Sequence, residues 1–543
     1  MPTVNELLSP QSSNRVGLVG VASFGNVSDT TKFGYLLLPP SSYESPKDDC
    51  WPSAAAWSDF NKTVGGKLIK NTPVALPCYS GITQDDNSCQ AVQKGWTSPN
   101  FQVDAPVGYD YPVNLTCPLI SLGAAAADGN CSLGNAPVFA VNVTAVEDIS
   151  QALSLARERN LRVVVKSTGH DFMQRQGCVS QNLTLSIVCN SNPVFRSTGY
   201  ASLSLWLRHL RNGIAFHDAN PELEVCPESG WNGSSLTISG SYSWDDIYPI
   251  ARNKGVLIVG ENNAGPSSTG GWTQGGSHSP VTRHFGPGAD QVLSAQVVLA
   301  SGEVVKASPC ENQDLFFDIR GGGPGTYGVV TELSVRTYKD ERTASVATVN
   351  VGSPADDAAT SRFLDAVTTM YGAMPDLSRK GFSGYGLWSA PVPGPGGKNP
   401  LNAYKQSFLF LGDGDAARRL FRPFEEKMTA FASSQHRLDV KVDWATHSNY
   451  GSYYASKTDT NASVGSFSAM SSRLLGSEAL ANRTRLRAVI KTMAGTINQP
   501  VTHTLVHHWL DSWRWLRCRR QQPGPPSSPA GTGRSCWTFS RRR

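Results

Sequence analysis

The chain has no run of 18 apolar residues, so no ordinary membrane-spanning helix is expected. None of its 11 cysteines forms a C-x-x-C pair, which argues against both a zinc-finger spacing and a redox dithiol. Charge is scarce, at 17% of residues against 39% apolar, and the formal net charge is only +5. That balance argues against global disorder. No zinc-finger spacing or basic–aromatic array accompanies the small positive surplus, so no nucleic-acid partner is expected. A Rossmann fingerprint is missing too. GGGPGT at 321–326 is glycine-rich but has neither the G-x-G-x-x-G setting nor a P-loop lysine. The histidines of THTLVHH (His503, His507, His508) have no Cys, Asp or Glu set to fix a geometry, so no metal site is assigned. Met1 to Ser9 lacks the basic start and apolar core of a signal peptide.

What is present points to a large, turn-rich protein. The 543 residues are enough for two or three domains with sizeable cores, and Gly 51 and Pro 34 imply many turns. Nine N-x-[ST] sequons, starting at Asn26, Asn61, Asn114, Asn130, Asn142, Asn182, Asn232, Asn461 and Asn482, accompany the scattered cysteines. Together they favour an oxidising route and an extracellular protein. With MPTVNELLS in front, this means a wrong or missing first exon; the alternative is an intracellular protein.

The chain is organised around LRVVVKSTGHD at 161–171. Three β-branched valines signal a short buried strand, and Ser167-Thr168-Gly169-His170 follow as a polar turn. By itself this pattern reads either as a structural turn or as a ligand loop in which backbone N–H groups and Lys166 hold an anion with His170 beside it. Upstream, 1–46 reads as a poorly specified leader and 47–134 as a cysteine-containing accessory region, with Trp51, Trp57, Phe60, Leu68 and Ile69 in a short helix and strand and Pro52 at the helix start. Strand, helix, strand follows over 136–170, with Val146, Ile149, Leu153 and Ala156 on one helical face. Another strand–helix–strand spans 236–260, and a hairpin turns at Ser301-Gly302. Residues 339–505 combine helical periodicity with strands, an antiparallel sheet with helices on one face. The tail 506–543 is basic and of low complexity.

Taken with GGWTQGGSHSP at 270–280 and ENQDLFFDIRGGGPGTYGVVTELSV at 311–335, the first loop resembles the flavin domain of the FAD-linked oxidases of the vanillyl-alcohol oxidase/berberine-bridge class, most of all the secreted fungal members. The resemblance implies an α+β fold: a PCMH-type FAD-binding domain of two α/β subdomains at 135–338, then a substrate domain at 339–505. The C-terminal end departs from the family pattern, because the closing segment after VTHTLVHHW is missing. A frameshift or false exon near 508 is the simplest account; a genuine disordered tail is the other. Between GHDFM and RSTGY, residues 174–195 interrupt the family's first loop, either as a retained intron or as a real insertion beside the cofactor.

For the site, the resemblance implies FAD held by Lys166, Ser167, Thr168 and Gly169, with Asp171 orienting the loop and, if 174–195 is a retained intron, Arg196 and Ser197 completing it. Thr269, Gly270, Gly271, Gln274, Gly275 and Gly276 form a second pass, followed by Asp290 and Val292 and then Gly328 and Val329. His170 is implied as the single covalent link to the flavin, since Ala264 stands where some relatives carry a second, cysteinyl link. Ser277 replaces the last glycine of the family's Gly-Gly-Gly-His. No catalytic base is assigned; Tyr385, Trp388, His447 and Tyr450 are pocket candidates, each more readily explained as core or surface. The expected activity is transfer of a hydride from a small organic substrate (an alcohol, sugar or secondary-metabolite intermediate) to flavin N5, with dioxygen reoxidising the flavin and hydrogen peroxide released. The alternative is a non-catalytic product of a mis-joined gene that keeps the scaffold. Neither the substrate nor the oligomeric state is legible.

Overall fold

The computed structural model describes residues 45–46, 48–79, 84–108, 117, 119, 131–134, 136–170, 197–392, 400–432, 437–457 and 475–494, and the backbone of 502–507. The expected leader, insertion and basic tail lie almost wholly outside these residues. Among the described residues, no helix is long and apolar enough to cross a membrane.

The first unit begins with α1 (Ala54–Thr63) and β1 (Leu68–Lys70). Ser53 caps α1, its Oγ accepting the Ala56 N–H at 3.2 Å, so Pro52 precedes the cap instead of opening the helix. Trp57 is buried and stacks on Phe139 with ring centroids 4.2 Å apart. The accessory block continues with α2 (Asp86–Gly95) and α3 (Pro99–Val103) and is tied by the disulfides Cys78–Cys89 and Cys117–Cys131. Next come β2 (Phe139–Asn142), α4 (Val146–Glu158), β3 (Arg162–Lys166) and β4 (Ser202–Trp206). The sheet order is β1-β2-β4-β3, with β2 and β3 both parallel to β4. Helix α4 covers it by burying Ile149, Ala152 and Ala156, with Val146 and Leu153 at the margin of the contact. The start of α4 is secured by Asp148. Its carboxylate lies 2.8 Å from Lys67 Nζ and accepts the N–H groups of Thr144 and Ala145. Burial alone would raise this carboxyl; Lys67 and the two N–H groups outweigh it and hold the pKa below the usual value.

The second unit is antiparallel throughout. It contains β5 (Arg211–His217), β6 (Ser235–Gly240), α5 (Trp244–Asn253), β7 (Val256–Ile258), the one-turn α6 (Gly271–Gln274), β8 (Val292–Val298), β9 (Val304–Ala307) and β10 (Val329–Lys339). The order is β5-β6-β10-β8-β9, with β7 added on β10. Ser243 and Asp246 form a capping box at the start of α5. The β8–β9 hairpin turns at Gly302 with φ +87°, as its Ser-Gly pair predicts. Cys226 and Cys310, far apart in sequence, are joined here.

The third unit has β11 (Ala344–Pro354), α7 (Asp357–Arg379), β12 (Gly384–Val392), β13 (Leu401–Leu411), α8 (Gly414–Thr429), β14 (Asp439–His447), α9 (Tyr450–Ala455), α10 (Arg483–Met493) and β15 (Thr502–His507). Its antiparallel order is β14-β11-β13-β12-β15. Strand alternation divides the sheet. Ala347, Val349, Val351, Trp388, Tyr404 and Phe408 face the core shared with α7, α8 and α10. Ala344, Val346, Leu409 and Leu411 face the other way, into the core of the second unit. The two domains therefore share apolar contacts, and α9 adds to them. Asp340 caps α9 by accepting the N–H groups of Tyr450 and Gly451 at 2.9 and 2.7 Å, and Tyr454 packs on Tyr248 with centroids 3.9 Å apart.

Candidate functional site

Strand β3 delivers the first loop. At its end Lys166 is fully buried, and its Nζ donates to the carbonyls of Ala105 at 2.9 Å and Val103 at 3.3 Å. The ammonium is thus directed into the accessory block, whereas the sequence placed it on a phosphate. Gly169 takes φ +79°, which turns the chain so that His170 Nδ1 lies 2.9 Å from Thr168 Oγ1. Burial, followed by the charge of Lys166, lowers the His170 pKa to about 3. The imidazole is therefore neutral at physiological pH, the form in which a ring nitrogen is a nucleophile.

The second loop packs directly on the first. The Ser267 N–H donates to Thr168 Oγ1 at 3.3 Å, and a Cβ on Gly270 would stand 2.6 Å from Ser167 Oγ. The loop is held from behind: Thr269 Oγ1 donates to the Gly240 carbonyl at 3.2 Å, and Gln274 Nε2 to the Thr269 carbonyl at 2.8 Å. The third segment closes on the second through the Gly323 N–H, which donates to the Gln274 carbonyl at 2.9 Å. Gly271 and Gly275 are exposed on either side of buried Thr273 and Gln274, and a Cβ on Gly276, at φ +102°, would meet no atom within 4 Å. Ser277 also adopts a positive φ, of 59°, and Gly288 makes room for its hydroxyl.

The remaining expected residues are placed differently. The side chains of Val292 and Val329 are buried in the sheet, and Gly328 packs on β8, where a Cβ would lie 2.6 Å from Val297 and 2.8 Å from the Val298 carbonyl. Any cofactor contact at these three positions would have to come from the backbone. Burial raises the Asp290 carboxyl, opposed by Arg320 and Arg336. Ser197 is buried, while Asp171 and Arg196 lie outside the described residues.

Across the seam between the domains, His278 Nδ1 lies 2.9 Å from Tyr385 Oη. Tyr385 is on β12, on the face opposite to Trp388. Trp388 is core, donating its indole N–H to Tyr371 at 3.0 Å. His278 is open on one side yet enclosed enough that burial lowers its pKa. Burial keeps the Tyr385 hydroxyl well above its ordinary value, with the Glu261 charge adding to the rise. His447, by contrast, is at the end of β14 with its ring 5.6 Å from Tyr453, and Tyr450 is packed in the shared core. Sequence reasoning named Tyr385 as a pocket candidate but missed its pairing with His278, and it missed Glu261, whose carboxyl burial raises to about 7. The partners are too far apart in the chain for any local pattern to pair them.

These residues fit a flavin dinucleotide. Three loops converge through backbone, Gly276 and Gly321 have open space where a Cβ would stand, and a neutral histidine lies on the first loop. Trp272 Nε1, on the glycine loop, is buried without a hydrogen-bond partner among the described residues.

The same assignment emerges from known proteins. A family profile described as an FAD binding domain matches residues 190–308. The FAD-linked oxidoreductase apf9 of Gibberella fujikuroi is 49% identical over 474 residues, 86% of this chain and 76% of that protein. The FAD-linked oxidoreductase hmp9 of Hypomyces subiculosus is 35% identical over 85% of this chain and 70% of its own length. Among solved structures, the VAO-type flavoprotein MtVAO713 from Myceliophthora thermophila C1 superposes with a TM-score of 0.77 at 35% identity, over 86% of this chain and 77% of that one.

Proposed function

We infer the activity from one premise: the chain belongs to the FAD-linked oxidoreductases of the vanillyl-alcohol oxidase/berberine-bridge class, with a PCMH-type FAD-binding domain. It is an FAD-linked enzyme, and we propose that it oxidises a small alcohol, sugar or secondary-metabolite intermediate. When bound, FAD supplies a two-electron acceptor for the substrate C–H bond and is returned to its oxidised form by dioxygen, with hydrogen peroxide released. The contact of the 167–170, 267–276 and 321–324 loops carries this reading, because it gathers glycine-lined backbone around one histidine.

The backbone of 167–170 and 269–276 holds the dinucleotide, and His170 makes a single covalent link. Ala264, fully buried, offers no sulfur for a second. His278 and Tyr385 take the proton of the substrate hydroxyl. The neutral imidazole is the acceptor, and Tyr385 relays to it, since burial keeps the phenol protonated. An extracellular location is supported by the disulfides Cys78–Cys89, Cys117–Cys131 and Cys226–Cys310. The test is direct. Purified protein should carry a yellow chromophore that survives acid precipitation and should release hydrogen peroxide from members of an alcohol and sugar panel. Folded protein that stays colourless after incubation with FAD would overturn the assignment.

A further inference from the structure

Lys166 is the last residue of β3 and precedes the loop that carries His170. A fully buried ammonium is expensive unless its donors are met. Here the Ala105 carbonyl accepts at 2.9 Å and the Val103 carbonyl at 3.3 Å, both from the accessory block. Trp206, the residue paired with Lys166 in the sheet, places its ring 5.8 Å from the same Nζ. Between the two carbonyls, Asp104 pairs with Arg208 at 2.7 Å just beyond the end of β4. Three successive residues, 103–105, thus grip the ends of two neighbouring parallel strands at the point where the cofactor loop leaves the sheet.

We propose that Lys166 is a positioning residue: it bolts the accessory block to the end of β3, so that this block and the flavin domain together fix the loop that carries His170. With Lys166 in place, Ser167 rests against Gly270 and Thr168 against Ser267, and His170 is aimed by Thr168. Burial, then Arg208, draws the Lys166 pKa down to about 7, and Asp104 opposes the fall.

Hydrogen exchange on the full chain tests the bolt, and acid-stable flavin tests its consequence; the second readout rests on the flavin assignment above. In Lys166→Met, amides of 100–106 and 162–170 should lose protection together by about tenfold or more, while β8 keeps its protection. Acid-stable flavin should fall relative to total bound flavin. Lys166→Arg, which keeps donors and charge, should retain most of the protection. Unchanged protection at 100–106 in Lys166→Met would overturn the proposal, and flavin binding lost at the same time would make Lys166 a phosphate ligand instead. Should Lys166→Met not fold, the wild type still decides: the two segments should open as one unit, and opening constants more than about a hundredfold apart would refute the bolt. A colourless wild type would sink the oxidase reading, and the exchange result would still judge the bolt.

Discussion

Replacing Gly270 by alanine tests whether the two cofactor loops touch as described. The new Cβ would stand 2.6 Å from Ser167 Oγ. Non-bonded heavy atoms attract at about 3.5 Å and beyond, so most of an ångström must be recovered. The backbone gives little, because Thr168 holds Ser267 and Thr269 is tied to Gly240. Either Ser167 changes rotamer inside a half-buried site or the loops part. Overpacking of this kind costs about 1–3 kcal/mol. Gly270→Ala should therefore melt earlier in urea and bind FAD less tightly. Gly271→Ala, whose Cβ would stand 3.3 Å from Pro324 Cγ, should be milder. The decisive comparison is Ser167→Ala/Gly270→Ala, which removes the opposing atom. A double-mutant cycle should show coupling of about 1 kcal/mol or more, with stability and flavin content largely restored. If Gly270→Ala matches wild type, or the double variant is as damaged as the single one, the loops are not in contact and the argument for a shared dinucleotide site fails.

Tyr385→Phe should slow turnover by about 10²–10⁴-fold with unchanged melting, measured by peroxide release. Because burial lowers the pKa of His278, its imidazole stays neutral as pH falls below 6.5 and protonates only at lower pH. The acid limb of kcat/KM should accordingly lie below 6.5, and a limb centred above that value contradicts His278 as acceptor. Gly328→Ala places a Cβ 2.8 Å from the Val298 carbonyl at φ +146°, and should destabilise by about 2 kcal/mol or more in urea melts. Asp148→Asn should cost about 1–3 kcal/mol at neutral pH. The folded pKa of Asp148 is depressed, so its contribution is present above the unfolded value of about 4 and lost as pH falls through the folded one. The stability gap between wild type and variant should close in acid.

Local pattern revealed a good deal of the fold. The three valines of β3, the apolar face of α4, the Ser-Gly turn before β9 and the strand–helix–strand expected over 236–260, found over 235–258, follow periodicity and turn chemistry. These features depend on neighbours within a few residues, where side-chain direction follows from backbone geometry. The glycines of the first two loops were legible for a related reason: glycine is favoured where φ is positive or where backbone approaches closely, and Gly169 meets the first condition and Gly270 the second. For Lys166, a lysine beside a glycine loop reads as an anion ligand, whereas its Nζ donates to carbonyls more than 60 residues away, which no local pattern foretells.

The sequence by itself determined the elements and the glycine-rich loops with a histidine at the end of the first, since each is encoded by short-range sterics and hydrophobic period. Only the tertiary structure decided that Tyr385 meets His278, that Lys166 reaches the accessory block, and that Cys226 joins Cys310. Such pairings depend on how separate sheets pack, and packing is chosen by the burial of whole faces, not by the spacing of any two residues along the chain.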